Sequence, residues 1–156
     1  MLRTFRLPAL LLAAVTACSS TDSSVQEPQV IETTTFASGL GVNLGASTKL
    51  QRGMYTRDIT VGTGADVVNG QNVSMRYTGA LSNGTQFDAN TSGAPFTFRL
   101  GGGQVIAGWD QGIIGMKVGG VRQLIIPSSL AYGPNDYGPI PGGSILVFTV
   151  TVVSVP

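Results

Sequence analysis

Turn-forming residues constrain this chain more than any other feature of its sequence. Of its 156 residues, 22 are glycine and 8 are proline. Glycine weakens a helix, proline ends one, and both favour tight turns. Asn83-Gly84 is the kind of dipeptide that most strongly signals a β-hairpin. The sequence therefore predicts short strands joined by turns, and little helix.

Alternation of apolar and polar residues locates the strands. Val73, Met75 and Tyr77 alternate with polar residues, as expected of a strand with one buried face. The last strand has one strongly apolar face, and its other face is not strongly polar either, because Ile145, Val147 and Val153 lie there among threonines. The strands that we predict by this pattern are Met54–Val61, Val73–Thr78, Phe96–Leu100, Val121–Ile126 and Ile145–Val155.

One helix is predicted, over Val105–Met116. Val105, Ile106, Trp109 and Ile113 fall on one face of it at helical spacing. Three glycines within the segment make it a weak helix by itself, so packing must hold it. Together the patterns indicate an α+β domain with a mostly antiparallel sheet of five to six strands and one short helix.

The composition excludes several classes of chemistry. The chain has no histidine and one cysteine, Cys18. It therefore has no Ser-His-Asp mechanism, no histidine-ligated or cysteine-cluster metal site and no internal disulfide. Charged residues make up 11% of the chain and its net charge is +1, so it lacks the basic footprint of a nucleic-acid-binding protein. A carboxylate-based or non-covalent mechanism, without metal or cofactor, is compatible with this composition.

Residues 1–17 have the features of an export signal. Arg3 and Arg6 precede an apolar run that is far shorter than the ~20 residues of a membrane-spanning helix. The run ends in Val15-Thr16-Ala17-Cys18, which resembles a bacterial lipobox, in which the cysteine receives lipid after cleavage. An ordinary signal peptide followed by an incidental cysteine is the alternative. We expect lipidation at Cys18 and a membrane-tethered location on the extracytoplasmic side of the cell envelope.

Residues 18–48 are predicted to be a flexible tether. They are rich in serine, threonine and glycine, and their apolar residues are sparse and follow no sustained period. Apolar residues at 30–31 and 36–44 leave open the alternative that a short segment docks on the domain. Residues 49–156 are predicted to form the single domain.

Seven short motifs follow one another in register from about Leu50 to Pro156. They are Arg76-Tyr77-Thr78-Gly79, Gly84-Thr85-Gln86-Phe87-Asp88, Pro95-Phe96-Thr97-Phe98, Gln104-Val105-Ile106-Ala107-Gly108-Trp109, Ala131-Tyr132-Gly133, Ile140-Pro141 and Leu146-Val147-Phe148. In order and spacing these motifs resemble the FKBP family of peptidyl-prolyl cis-trans isomerases. The resemblance implies a twisted antiparallel sheet wrapped over one short helix, in agreement with the pattern of strands and helix.

The resemblance also implies a pocket for a proline ring. Trp109 would form the floor, and the residues that line the pocket would be Tyr77, Phe87, Phe96, Val105, Ile106 and Phe148. The Ile106 N–H and the Tyr132 hydroxyl would bind substrate carbonyls, and Asp88 would stand at the wall within reach of Tyr77. The expected catalytic residues are thus Asp88, Tyr132, Ile106 and Trp109, with Tyr137 and Ile140 at the rim. The short loop 90–94 departs from many family members because it lacks an arginine.

Such a pocket suits isomerisation of X–Pro bonds. The barrier is ~18–20 kcal/mol because the amide C–N bond has partial double-bond character, and no nucleophile is needed to lower it. The implied substrates are proline-containing polypeptides that fold after export. Macrolides are the implied inhibitors, and a monomer is the expected state. The alternative function is a non-catalytic proline-binding or chaperone-like module with the same fold and pocket.

Overall fold

The computed structural model describes residues 27–155, which form one antiparallel sheet and one α-helix. The predicted signal peptide, Cys18 and the first part of the predicted tether lie outside the described residues. The strands are β1 (Thr48–Lys49), β2 (Tyr55–Thr60), β3 (Asn72–Leu81), β4 (Gln86–Asn90), β5 (Phe96–Arg99), β6 (Val121–Ile126) and β7 (Leu146–Ser154). Their order in the sheet is β1-β2-β6-β7-β3-β4, and β5 also pairs with β3.

This architecture confirms the predicted fold class, with one strand more than expected. Every segment predicted from alternation forms a strand, and the Asn83-Gly84 turn connects β3 to β4 with Gly84 at φ 90°. Two strands lie outside the five predicted segments: β4, which follows the predicted hairpin turn, and β1, which has two residues and pairs with the start of β2. A two-residue strand is too short to show a period, so alternation cannot reveal it.

The helix α1 spans Ala107–Gly112 and is shorter than predicted. Ile106 is extended at its N-terminal end, with φ −60° and ψ 147°, and Gly115 has a left-handed φ of 77° beyond its C-terminal end. The glycines that weaken this helix also let it approach the sheet. A Cβ on Gly108 would lie 2.5 Å from the Ile126 side chain. The helix is therefore held by close packing on β6, as its composition requires.

The strands β6 and β7 are buried on both faces over part of their length, whereas Val153 near the end of β7 is exposed. The α1 face of β7 contributes Leu146, Phe148, Val150 and Val152 to the main core, together with Trp109 and Ile113 from the helix side. Its opposite face contributes Ile145 and Val147 to a second cluster with Tyr55 and Ile125. This is the period-2 arrangement of a strand whose two faces are both apolar.

Residues 27–47, which we term the N-terminal strap, cover the second cluster. The strap contains three short 3₁₀ turns and buries Ile31, while Phe36, Leu40, Val42 and Leu44 pack partly on the sheet. The buried Gln123 side chain donates to the Leu40 carbonyl at 2.7 Å. The expectation of a flexible tether therefore does not hold for residues 27–47, because these apolar residues find an apolar sheet face to cover. The docked segment is the arrangement observed.

Candidate functional site

A cavity of about 170 Å³ lies on the α1 side of the sheet. It is bounded by strands β3, β4, β5 and β7, by the first residues of the helix and by the segment that follows the 3₁₀ turn at 128–130. Its lining residues are Tyr77, Phe87, Asp88, Phe96, Gln104, Val105, Ile106, Trp109, Tyr132 and Phe148. The structure thus brings together every site residue predicted for the domain except Tyr137 and Ile140.

Trp109 forms the floor of this cavity. Its side chain is 4% exposed and packs edge-to-face on Tyr77, with ring centroids 5.0 Å apart, and on Phe148, at 5.3 Å. Such T-shaped pairs set the positive edge of one ring against the negative face of another. Phe96 completes the wall with a centroid 6.3 Å from Trp109, whereas the nearby Phe98 is buried in the core.

Gly79 permits the close approach of two of these rings. It pairs with Phe148 on β7 and with Asp88 on β4. A Cβ at this position would lie 2.6 Å from the Phe148 ring and 2.9 Å from the Phe87 ring. Those distances are below van der Waals contact, so the two rings would have to move. The glycine of the Arg76-Tyr77-Thr78-Gly79 motif therefore shapes the cavity wall without lining it.

Two tyrosine hydroxyls and one carboxylate supply most of the site's polar character. The Tyr77 hydroxyl donates to Asp88 Oδ2 at 2.7 Å, across the β3–β4 pair. Burial and this hydrogen bond raise the pKa of Tyr77 to about 12. Burial, with lesser effects of Tyr137 and Asp88, also raises the pKa of Tyr132. Both hydroxyls therefore keep their protons to a higher pH than an ordinary tyrosine does.

Ile106 lines the cavity and precedes α1, and its backbone hydrogen bonds are made on the carbonyl side. Its carbonyl accepts from the N–H groups of Trp109 and Asp110, at 2.9 and 3.3 Å. Its own N–H donates to no group in the described part of the chain. Because Ile106 is extended and lies immediately before α1, this N–H is outside the helical hydrogen-bond pattern. It is available to an acceptor in the cavity.

The two predicted rim residues behave differently from each other. Tyr137 is exposed and stacks on Tyr132, with centroids 4.3 Å apart and planes 10° from parallel. Ile140 is 5% exposed and belongs to the main core. The backbones of Tyr137 and Ile140 form an isolated antiparallel β-bridge, in which each N–H donates to the other residue's carbonyl. The Tyr137 side chain is exposed, whereas the Ile140 side chain is buried. The assignment of Ile140 to the rim is therefore corrected to a core role.

Gln104 lines the cavity although we did not predict it as a site residue. Its Oε1 accepts from the Arg99 N–H at 2.7 Å, so it also closes the turn between β5 and α1. The signal that could have identified it is its place at the start of the Gln104-Val105-Ile106 motif. No group of three or more His, Cys, Asp or Glu side chains that could hold a metal occurs among residues 27–155.

Comparison with known proteins agrees with this geometry. Residues 64–153 match the family model of the FKBP-type peptidyl-prolyl cis-trans isomerases, which is more than half of the chain. The chain belongs to this family. The antiparallel sheet and the short helix described above are thus those of an FKBP domain.

Individual relatives and solved structures support the assignment. The chain is 55% identical over 108 residues to FK506-binding protein 4 of Rhizopus delemar, covering 69% of this chain and 28% of that protein. It is 50% identical over 105 residues to a peptidyl-prolyl cis-trans isomerase of Saccharomyces cerevisiae, covering 67% and 26%. The crystal structure of AtFKBP13 matches with a TM-score of 0.66 and 38% identity, over 70% of this chain and 98% of that one. FkpA from Escherichia coli matches with a TM-score of 0.64 and 37% identity, over 70% and 51%.

The same comparisons correct the predicted location. The curated relatives named above are proteins of fungi, and this chain spans about a quarter of their length. Fungal relatives contradict the prediction of a bacterial lipid-anchored protein on the extracytoplasmic side of the cell envelope, and that prediction is wrong. Within the described residues, none of the helices has the length and apolar character needed to cross a membrane.

Proposed function

We propose that this domain catalyses cis-trans isomerisation of X–Pro bonds in proline-containing polypeptides, using the cavity above Trp109. The observation that carries the proposal is the aromatic cavity itself, in which a buried indole floor is combined with the unpaired N–H of Ile106 and the Tyr132 hydroxyl. Such a cavity would accept an apolar ring, and the two donors would bind carbonyl groups of the peptide next to the proline.

The chemistry follows from the amide bond. Rotation about C–N removes the resonance that separates charge between the carbonyl oxygen and the nitrogen. The twisted transition state is therefore less polar than either planar isomer, and an apolar cavity penalises it less than water does. Only this difference between transition state and ground state accelerates the reaction, and ~1.4 kcal/mol of it corresponds to a tenfold change in rate.

Each polar group of the site has a part in this proposal. The Ile106 N–H binds the carbonyl of the residue after proline and fixes that side of the twisting bond. The Tyr132 hydroxyl donates to the next carbonyl, and the aromatic platform of Tyr132 and Tyr137 supports the flanking chain. Asp88 accepts from Tyr77 and so holds the Tyr77 ring against Trp109. Macrolides that fill the same cavity are the expected inhibitors.

The test is the exchange rate between the cis and trans signals of a short X–Pro peptide, measured by NMR with and without the protein. We expect acceleration by the wild type and about a fivefold loss of kcat/KM in Tyr132→Phe, the change that one lost hydrogen bond produces. Tyr55→Phe is the matched control. It removes a tyrosine hydroxyl that bonds Glu32 on the strap side of the sheet, away from the cavity, and should leave the rate unchanged.

A folded wild type that does not accelerate exchange would contradict the catalytic proposal. Binding would then separate the remaining accounts. Trp109 is the only tryptophan in the chain, so its fluorescence reports on the cavity floor alone. Quenching by a proline peptide or a macrolide without any acceleration would favour the non-catalytic proline-binding module.

A further inference from the structure

The N-terminal strap makes two kinds of contact with the sheet. One kind reaches β1, β2 and β6, which carry none of the site residues: Glu32 accepts from Lys49 and Tyr55, and Arg57 donates to the Gly41 carbonyl. The other kind starts at Gln29 and reaches loops that lead into the cavity. The first kind of contact attaches the strap to the sheet, whereas the second connects the strap to loops of the candidate site.

Gln29 is hydrogen-bonded to the segment before β7. Its N–H donates to the Gly143 carbonyl at 3.0 Å, and its side-chain Oε1 accepts from the Ile145 N–H at 3.0 Å. The Gly143 N–H in turn donates to the Gly133 carbonyl at 2.9 Å. Gly133 directly follows Tyr132. Two hydrogen bonds in series thus connect the strap to the residue beside the Tyr132 hydroxyl donor.

The same side chain reaches the turn between β3 and β4. The buried Ser82 hydroxyl donates to Gln29 Oε1 at 3.4 Å, and the Ser82 carbonyl accepts from the Ala37 N–H at 2.9 Å. This turn leads into β4, which carries Phe87 and Asp88. Gln29 Oε1 therefore joins the segment before β7 to the β3–β4 turn, and the Gln29 backbone N–H joins both to the 133–143 loop.

We propose that Gln29 is a positioning residue, through which the strap holds the 133–143 loop and the β3–β4 turn in the arrangement that binds the substrate backbone. The inference rests on the proposed isomerase function. Loss of the Oε1 acceptor would remove its hydrogen bonds with the Ile145 N–H and the Ser82 hydroxyl. A smaller fraction of molecules would then hold both the 133–143 loop and the β3–β4 turn in place. Apparent affinity falls in proportion to that fraction, whereas saturating substrate restores it. The effect therefore falls on KM and spares kcat.

The experiment compares Gln29→Met with Glu32→Met. Both remove side-chain acceptors of similar size from the strap, but only the first acts on the site loops. We expect Gln29→Met to raise KM for an X–Pro peptide about fivefold, as loss of a hydrogen bond would, with kcat within about twofold of the wild type. Glu32→Met should leave KM unchanged. Gln29→Glu keeps an oxygen acceptor and should restore KM. Urea unfolding of all three variants shows whether they are equally folded under the assay conditions.

Amide exchange supplies a second readout that does not need activity. The N–H groups of Ile145, Tyr137 and Ile140 should exchange faster in Gln29→Met and at wild-type rates in Glu32→Met. The inference is overturned if Gln29→Met leaves KM and these exchange rates unchanged, or if Glu32→Met changes KM as much. An inactive wild type would refute the proposed function alone, and the exchange comparison at Tyr137 and Ile140 would still decide the inference.

Discussion

The two faces of strands β6 and β7 are both buried, but by very different means. On one face the six-residue helix α1 packs through glycines and large aromatic rings, and a cavity of about 170 Å³ remains beside Trp109. On the other face the N-terminal strap lies close to the sheet over Ile125, Ile145 and Val147. A short helix cannot cover a broad sheet face, and the uncovered part is where the candidate site lies.

This contrast teaches which kind of covering leaves room for a ligand. Interlocked aromatic side chains are rigid and meet edge-to-face, so they can surround an empty space of fixed shape. The strap instead combines mostly aliphatic side chains and Phe36 with hydrogen bonds to the sheet, such as the one that Gln123 donates to the Leu40 carbonyl. The strap covers the second cluster and, through Gln29, contacts the segment before β7. This segment leads to the face of the sheet that carries the cavity.

The largest expected effect comes from removing the cavity floor. Trp109→Ala should lower the free energy of unfolding by about 3–5 kcal/mol and abolish acceleration of prolyl exchange. Ile125→Ala is the control on the strap face. It should destabilise by about 2–5 kcal/mol as well, yet leave the activity of each folded molecule intact. Urea denaturation and NMR exchange measure the two quantities. Equal loss of activity in both variants would remove the distinction between the faces.

Docking of the strap is tested by two adjacent residues. Ile31 is 3% exposed and Val30 is 54% exposed. Ile31→Ala should cost about 2–4 kcal/mol in the free energy of unfolding, because it opens a cavity against the sheet. Val30→Ala should change it by less than about 0.5 kcal/mol. Similar urea midpoints for the two variants would mean that this segment is a free tether in solution.

The cavity wall is tested at Gly79. Adding a methyl group there in Gly79→Ala forces the Phe148 and Phe87 rings to move, which should cost about 1–3 kcal/mol of stability. We expect kcat/KM to fall as well, since those rings line the cavity. Gly39→Ala on the strap is the matched control, because nothing lies within 4 Å of its added Cβ. Unchanged macrolide affinity in Gly79→Ala would show that the wall tolerates the shift.

The smallest effect expected is a different pH response of the two faces. Hydrogen bonds from Lys49 and Tyr55 lower the pKa of Glu32 to about 2, so its contribution to stability is present above pH 4.5 and lost as the pH falls towards 2. The pKa of Tyr77 is raised from 10 to about 12, so its contribution is present below pH 10 and lost as the pH rises towards 12. The urea midpoint should depend less on pH at the acid end in Glu32→Gln than in the wild type. In Tyr77→Phe it should depend less on pH at the alkaline end. If Glu32→Gln changed only the alkaline end and Tyr77→Phe only the acid end, neither residue would be responsible for the pH response assigned to it.

Much of the fold follows from local patterns. The strands were predictable because alternation is a local signal, and β7 even carried the sign of a doubly buried strand in Ile145 and Val147. Most of the cavity lining came from the motifs that resemble the FKBP family. Ile140 did not fit that prediction, because its bridge with Tyr137 turns it into the core. A sequence motif indicates which residues lie near the cavity, whereas the local backbone conformation decides which of their side chains face it.

The strap could not be predicted with the same means. Its 3₁₀ turns have no sustained apolar period, and the residues it covers lie far along the chain, with Gln29 and Ile145 116 positions apart. The apolar residues at 30–31 and 36–44 allowed docking without requiring it. What was missing was the knowledge that a sheet face with Ile125, Ile145 and Val147 needed a cover.

The sequence by itself determined the positions of five strands, the single helix and the lack of histidine for any histidine-based mechanism, because composition and period-2 alternation are properties of short stretches of chain. Only the tertiary structure decided that two aromatic rings lie over Gly79 and that residues 27–47 cover the second face. Each of these depends on contacts between segments separated along the chain. Such contacts form when whole apolar surfaces are buried together, and no single stretch of sequence encodes them.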